Sequence, residues 1–455
     1  MRWCTLLLLV GVPLGLLGAD VALAGKEFQA GFAKVDITPT EPLRLSGYSN
    51  RKEPYQRIEQ KLWVRAMVVR PPGGKPHALV AVDTIGVPGS LTARVAAEAQ
   101  KRFGIPRAAL VLACSHSHTA PQLAGGIPNM YQKPLTPQEK AAMQRYTRRV
   151  GDAVLEAIAQ ALGRMQPASW AWAQSRATFA VNRRLVENGR YRGFGVNRQG
   201  PVDHALPVLA VRSKQGKLLG VVFNYACHCT TLGPQHNFVC GDWAGYASQF
   251  LEQRHPGIVA VCTIGCGADA NPEPRTGLNY AKQHGTELAD QVDALLRQAK
   301  AWKPLPGEIR SAFAPAALPF EEHDEAYYRQ RLKNPRPVVQ RHAAHMLQLL
   351  AQGHLPRSYP CPVHVWRVGD LGLVFLGGEV VVDYALRLKK ELPGVVWISG
   401  YCDDVFAYVA SRRVIAEGGY EVDFSMVFYN QPGRWKPEVE EVLVGTVHRL
   451  WKQLR

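Results

Sequence analysis

Four short apolar runs constrain the fold of this chain more than any other feature: residues 109–113, 218–225, 258–264 and 371–376. Each is five to eight residues long and bounded by turn residues, the pattern of a strand buried on both faces. Each also stops at a polar segment that carries chemistry. The first runs into Ser115-His116-Ser117-His118-Thr119-Ala120-Pro121 and the second into Ala226-Cys227-His228. The third runs into Gly265-Cys266-Gly267-Ala268-Asp269-Ala270-Asn271-Pro272, and the fourth into Gly377-Gly378-Glu379.

Helical patterns lie between these strands. Residues 91–102, 246–254, 280–300, 382–392 and 437–454 have helical periodicity. Thr136 opens a further helix with Pro137 early and Glu139 three residues on, the signature of a capping box. Residues 62–70 and 77–83 predict paired strands around Pro71-Pro72-Gly73-Gly74, and 208–212 with 218–225 predict a hairpin. Strands interleaved with helices predict an α/β or α+β fold in layers. No linker or repeat divides the chain, so residues 25–455 read as one large catalytic domain. Residues 322–353, polar and rich in Gln and His, read as a helical insertion that could cover a cleft.

With 455 residues, 47% hydrophobic and 20% charged, the composition is that of a globular protein with a sizeable core. Arg2, the apolar run 6–17 and Ala22-Leu23-Ala24 predict a signal peptide over residues 1–24, with export to the periplasm or the extracellular space. That run is short for a membrane span. The net charge of +17 contains no long Lys/Arg run, and its densest cluster is Arg183, Arg184, Arg190 and Arg192. For an exported chain this points away from nucleic acid and leaves open an anionic membrane or glycan surface or simple colloidal charge. Cys4 leaves with the leader, and the remaining eight cysteines permit disulfides in an oxidising compartment. Cys227, Cys229, Cys240, Cys262 and Cys266 crowd together and raise a thiolate zinc site, though none has CxxC spacing.

On extended chain, residues i and i+2 share a face, so His116 and His118 are expected to point together into a cleft at the strand's end. Plain alternatives exist for each candidate. The two could be solvated loop histidines, His228 a hydrogen-bonded core residue, Glu379 a helix cap, Asp269 and Asn271 turn formers, and Tyr408 and Tyr420 core aromatics. Taken together, histidines and a carboxylate gathered at strand ends match the ligand chemistry of catalytic zinc, which keeps one position open for water.

The same residues resemble the neutral/alkaline non-lysosomal ceramidases, zinc amidases that cut the N-acyl bond of ceramide. Residues 30–39 (AGFAKVDITP) are similar to that family's opening strand, and SHSHTAP at 115–121 is similar to its THTHSGP motif. NYACHCT at 224–230 resembles its second histidine motif, and Gly378-Glu379 its glutamate motif. Tyr408 and Tyr420 are similar to its paired tyrosines. The resemblance implies that His116, His228, Glu379 and Tyr408 hold Zn2+. It further implies that His118 and Tyr420 stabilise an oxyanion, and that Arg183 lies near the scissile amide of a small-molecule or lipid substrate.

Three departures stand out. The family's turn GDVSPN carries a serine proposed as essential, and Ala270 occupies that place here. The chain ends about twenty residues after Trp435, which implies the catalytic domain without the family's C-terminal immunoglobulin-like domain. No apolar channel for two long chains is legible. The expected function is therefore an exported zinc-dependent amidase. The alternatives are a hydrolase of the same fold acting on another amide, ester or glycan linkage, and a secreted binding protein without turnover. The sequence does not set the oligomeric state.

Overall fold

The computed structural model describes residues 27–454, so the expected signal peptide at 1–24 lies outside the described residues. The strands build two main sheets. The larger runs Val259–Ile264, Leu218–Tyr225, Ala205–Ser213, Gln166–Arg176, Gln29–Asp36, Trp63–Arg70, His77–Val82 and Leu110–Cys114, with Lys303–Pro304 paired to Gln166–Arg176. The smaller runs Arg310–Pro319, Ser358–Val368, Leu371–Leu376 and Val395–Ser399. Both are mixed: His77–Val82 with Leu110–Cys114, Leu218–Tyr225 with Val259–Ile264, and Leu371–Leu376 with Val395–Ser399 are parallel pairs among antiparallel neighbours.

Side-chain alternation explains the layering. In Trp63–Arg70, Val64, Ala66 and Val68 join one core, while Met67 and Val69 join another. In Leu371–Leu376, Leu371, Leu373 and Phe375 share the second core with Met67 and Val69. That core is the dry space between the two sheets. The first core lies on their outer faces, under helices such as Gly89–Phe103, Pro137–Gly163, Leu278–Arg297 and Val439–Gln453. The result is a helix–sheet–sheet–helix stack, and it explains why the four apolar runs show no polar alternation. Thr136 caps Pro137–Gly163 by the expected reciprocal box with Glu139.

The strand Ser358–Val368 carries Pro360 and Pro362, which argue against a central strand. The register resolves this. Residues 358–362 pair only with Arg310–Pro319, and the pairing with Leu371–Leu376 begins at Val363. The prolines thus lie before that ladder begins, where no partner carbonyl needs their missing N–H, and the Pro362 carbonyl still accepts from Gly377 N–H at 2.9 Å. Residues 322–353 form two helices, Glu325–Arg331 and Pro337–Ala351, separated at Asn334-Pro335-Arg336-Pro337. A residue before proline avoids helical geometry, while Pro337 itself suits the first helical turn. Val338 and Val339 pack with Val427, Phe424 and Phe428. No helix among the described residues is long and apolar enough to cross a membrane.

The eight cysteines among the described residues are all buried and free. The crowded set does not form a thiolate metal site. Burial pushes the Cys227, Cys229, Cys240, Cys262 and Cys266 thiols up, so none is poised to ionise.

Candidate metal and active site

The C-terminal ends of the apolar strands converge at one end of the stack. Gly265 N–H donates to the Tyr225 carbonyl within the larger sheet, and Gly400 N–H donates to that of Ile264, which ties the two sheets together there. His116 leaves Leu110–Cys114, His228 leaves Leu218–Tyr225, and Glu379 leaves Leu371–Leu376 after Gly378, whose φ is +80°. The three imidazoles of His116, His118 and His228 place ligand atoms within 4.8 Å of one another.

The convergence of His116 and His118 does not come from strand alternation. His116 has φ +54°, a left-handed conformation, so the chain turns out of the strand at this residue. The turn carries the ring back, and the two Nε2 atoms lie 3.3 Å apart.

His116 Nδ1 faces the Ile85 carbonyl at 2.6 Å, and His228 Nδ1 faces the Gly267 carbonyl at 2.9 Å. A carbonyl only accepts, so Nδ1 carries a proton in both rings, and in the neutral imidazole Nε2 presents a lone pair. Both lone pairs point at Glu379 Oε2, each at 3.1 Å. With both rings neutral, three acceptors meet in a buried pocket, and Glu379 Oε2 is without a donor there. Such a set fits a divalent cation, and zinc-ligating histidines usually donate their other ring N–H to a carboxylate or a backbone carbonyl, as these two do. Burial pushes His228 down to about 4, with the Arg183 charge acting the same way. It is therefore neutral at pH 7.

Tyr408 completes the group through a two-residue parallel ladder, in which Glu379 pairs with Tyr408 and Val380 with Val409. Tyr408 Oη lies 3.2 Å from His228 Nε2 and accepts from Arg183 Nη2 at 3.2 Å. Tyr420 lines the same cavity, its ring 5.5 Å from that of Tyr408. The seven residues singled out from the sequence thus meet in one place. Ala270 is buried, and its carbonyl accepts the His228 N–H at 3.1 Å, while Asn271 reaches the cavity wall.

Arg183 and Arg184 are not a basic surface patch, contrary to the expectation from their clustering. Both are buried, with Arg183 Nε donating to Glu421 Oε1 at 2.9 Å and Arg184 Nη1 donating to Glu421 Oε2. A buried guanidinium needs a paired carboxylate, and Glu421 supplies it to both. Only Arg190 and Arg192 of that cluster are exposed.

Other residues here carried no local signal. Tyr429 donates to Glu379 Oε1 and orients the carboxylate. Arg51 is buried without a carboxylate and donates to the carbonyls of Ser46, His118 and His236. Gly47 has φ +91°, and a Cβ there would lie 2.4 Å from His118 Nδ1. Gly47→Ala is therefore expected to displace the His118 ring and cut kcat by about 10²-fold while bound metal is retained. Steady-state kinetics paired with metal analysis checks this.

The cavity holds about 480 Å³, within the roughly 300–1,000 Å³ typical of small-molecule sites. Its lining combines apolar side chains such as Ile127, Met130 and Phe428 with polar ones such as Asn50, Thr230 and Arg275.

The family model described as neutral/alkaline non-lysosomal ceramidase, N-terminal, matches residues 28–262. The chain belongs to this family. The neutral ceramidase of Pseudomonas aeruginosa is 24% identical to it over 471 aligned positions, covering 87% of this chain and 68% of that protein. The fold matches a crystal structure of neutral ceramidase from Pseudomonas aeruginosa with a TM-score of 0.69 at 18% identity, over 93% of this chain and 75% of that one. A structure titled as ceramidase complexed with C2 matches equally, with a TM-score of 0.69 at 18% identity, over 93% of this chain and 76% of its own. The chain thus shares the layered architecture of these structures across most of its length.

Proposed function

We propose that this protein is an exported zinc-dependent amidase that hydrolyses the N-acyl bond of a ceramide-like lipid. The observation that carries this reading is the convergence of the His116 and His228 Nε2 lone pairs on Glu379 Oε2 at 3.1 Å. Membership of the ceramidase family supplies the bond type. His116, His228, Glu379 and Tyr408 would hold zinc, which when bound polarises a carbonyl and acidifies water. His118 is the odd imidazole: its Nδ1 has no partner, so its tautomer is not pinned as those of the two ligands are. Burial, reinforced by His116 and His228, holds it neutral. With its proton on Nε2 it donates to the oxyanion that develops as water adds to the amide. The Tyr420 hydroxyl is the second donor, and burial keeps it protonated. Arg183 holds Tyr408 Oη in place, Tyr429 holds Glu379, and the apolar lining receives an acyl chain.

Tyr420→Phe is expected to lower kcat by about 10²–10³-fold with metal content unchanged. A Tyr420→Phe enzyme as fast as the parent would remove this role. The reading as a whole is tested by metal analysis of the purified mature chain together with cleavage of a fluorescent N-acylsphingosine. Stoichiometric zinc with chelator-sensitive cleavage is the expected result, and absence of bound metal overturns it. N-terminal sequencing of exported protein is expected to begin at Gly25.

A second reading keeps the site and changes the substrate. It is favoured by Arg275, which lines the cavity and pairs with no carboxylate among the described residues. That cation suits a substrate whose polar end is anionic. Faster cleavage of an N-acyl amino acid than of N-acylsphingosine would select this reading.

A further inference from the structure

The strands Ala180–Glu187 and Arg190–Asn197 form a hairpin around Asn188-Gly189, both residues at positive φ as a tight two-residue turn requires. Along the second strand exposure alternates. Tyr191, Gly193, Gly195 and Asn197 are half-buried, and Arg190, Arg192, Phe194 and Val196 face water. An outward row is ordinarily polar. Here it carries Phe194 at 50% exposure and Val196 at 49%, and the first strand adds Leu185 and Val186 near its tip. Of the eight exposed large apolar side chains among the described residues, these are four, gathered on one hairpin. Single exposed apolar residues need no explanation, but a cluster marks a contact surface.

Charge decides what the surface meets. Residues 185–198 carry Arg190, Arg192 and Arg198 against one carboxylate, Glu187. Apolar side chains ringed by arginine match the boundary between anionic headgroups and acyl chains. The row is also continuous with the candidate active site. Phe194 lines the cavity, with its ring 5.2 Å from that of Tyr420 and 4.8 Å from the Arg183 guanidinium. Phe194 thus joins the exposed row to the cavity that holds the proposed catalytic groups.

We propose that this hairpin is a docking surface for anionic bilayers, with Leu185, Val186, Phe194 and Val196 entering the interface and the three arginines on the headgroups. The proposal rests on the lipid-amide reading for its purpose, although binding itself does not need turnover.

The test is co-sedimentation of the full mature protein with vesicles of phosphatidylcholine alone or mixed with phosphatidylglycerol, both free of substrate. The parent is expected to bind the mixed vesicles, and less tightly as salt rises. The double variant Val186→Glu, Val196→Glu avoids Phe194 and the cavity. It is expected to bind the mixed vesicles about tenfold or more weakly. It should cleave a detergent-dispersed short-chain substrate at the parent rate and a vesicle-embedded one slowly. Failure of the parent to bind vesicles, or equal binding by the variant, overturns the proposal. A parent dimer that the variant abolishes, without vesicle binding, would assign the surface to a second copy of the chain. Vesicle binding without cleavage of any amide would leave the docking surface standing and remove the amidase reading instead.

Discussion

His116→Asn is expected to yield a folded chain that neither binds zinc nor cleaves an amide. Asparagine is the preferred test because His116 sits at φ +54°, a region asparagine tolerates and alanine resists. His116→Ala would add about 1 kcal/mol or more of backbone strain to the loss of the ligand and confound the two. The asparagine variant keeps His228 Nε2 and Glu379 Oε2, which lie 3.1 Å apart in the parent, and removes the imidazole that would be the third ligand. The expected readout is metal at background by elemental analysis, hydrolysis at background, and an unchanged circular dichroism spectrum. Retention of stoichiometric zinc would remove His116 from the ligand set.

Arg184→Leu is expected to cost about 3–5 kcal/mol of stability, the range for breaking a buried ion pair from one side. Arg184 and Glu421 both have side chains 0% exposed. Arg184 also bonds Glu417 Oε2 at 3.0 Å and the Gly418 carbonyl at 2.7 Å, so its loss leaves several buried acceptors unmet. Glu421 would keep only Arg183, the residue that holds Tyr408. A drop in stability should therefore bring a loss of activity at temperatures where the chain is still folded. The exposed pair Arg192–Glu187 is the control, with side chains 56% and 69% exposed, and Arg192→Ala should cost under about 1 kcal/mol. Urea melts of the two variants make the comparison, and equal midpoints would show that Arg184 is not the structural cation described.

Local pattern made the strands at 109–113, 218–225, 258–264 and 371–376 legible because apolar runs bounded by turns have few other uses. The Thr136 cap was legible for a related reason, since its partners are three residues apart. Strands Arg310–Pro319 and Ser358–Val368 were not, because their prolines argue against pairing until the register shows where the second ladder begins. The hairpin Ala180–Glu187 with Arg190–Asn197 was obscured by its arginines, which looked like one basic patch. Burial divides them: two sit on Glu421 inside, while Arg190 and Arg192 remain outside.

What the sequence by itself determined was the inventory of chemistry: two histidine motifs, a glutamate after paired glycines, two tyrosines and an arginine, most of them placed where strands end. The tertiary structure alone decided how that inventory faces itself. The proton position on His116 is set by the carbonyl of Ile85, 31 residues away, and that on His228 by Gly267, 39 residues away. Glu379 and Tyr408 become neighbours through a ladder of two residues, and Tyr429 reaches the same carboxylate from a helix end 50 residues on. Periodicity reports which face of an element is buried. It does not report which lone pair, from which distant element, lies 3 Å from another, because that depends on how complete layers stack.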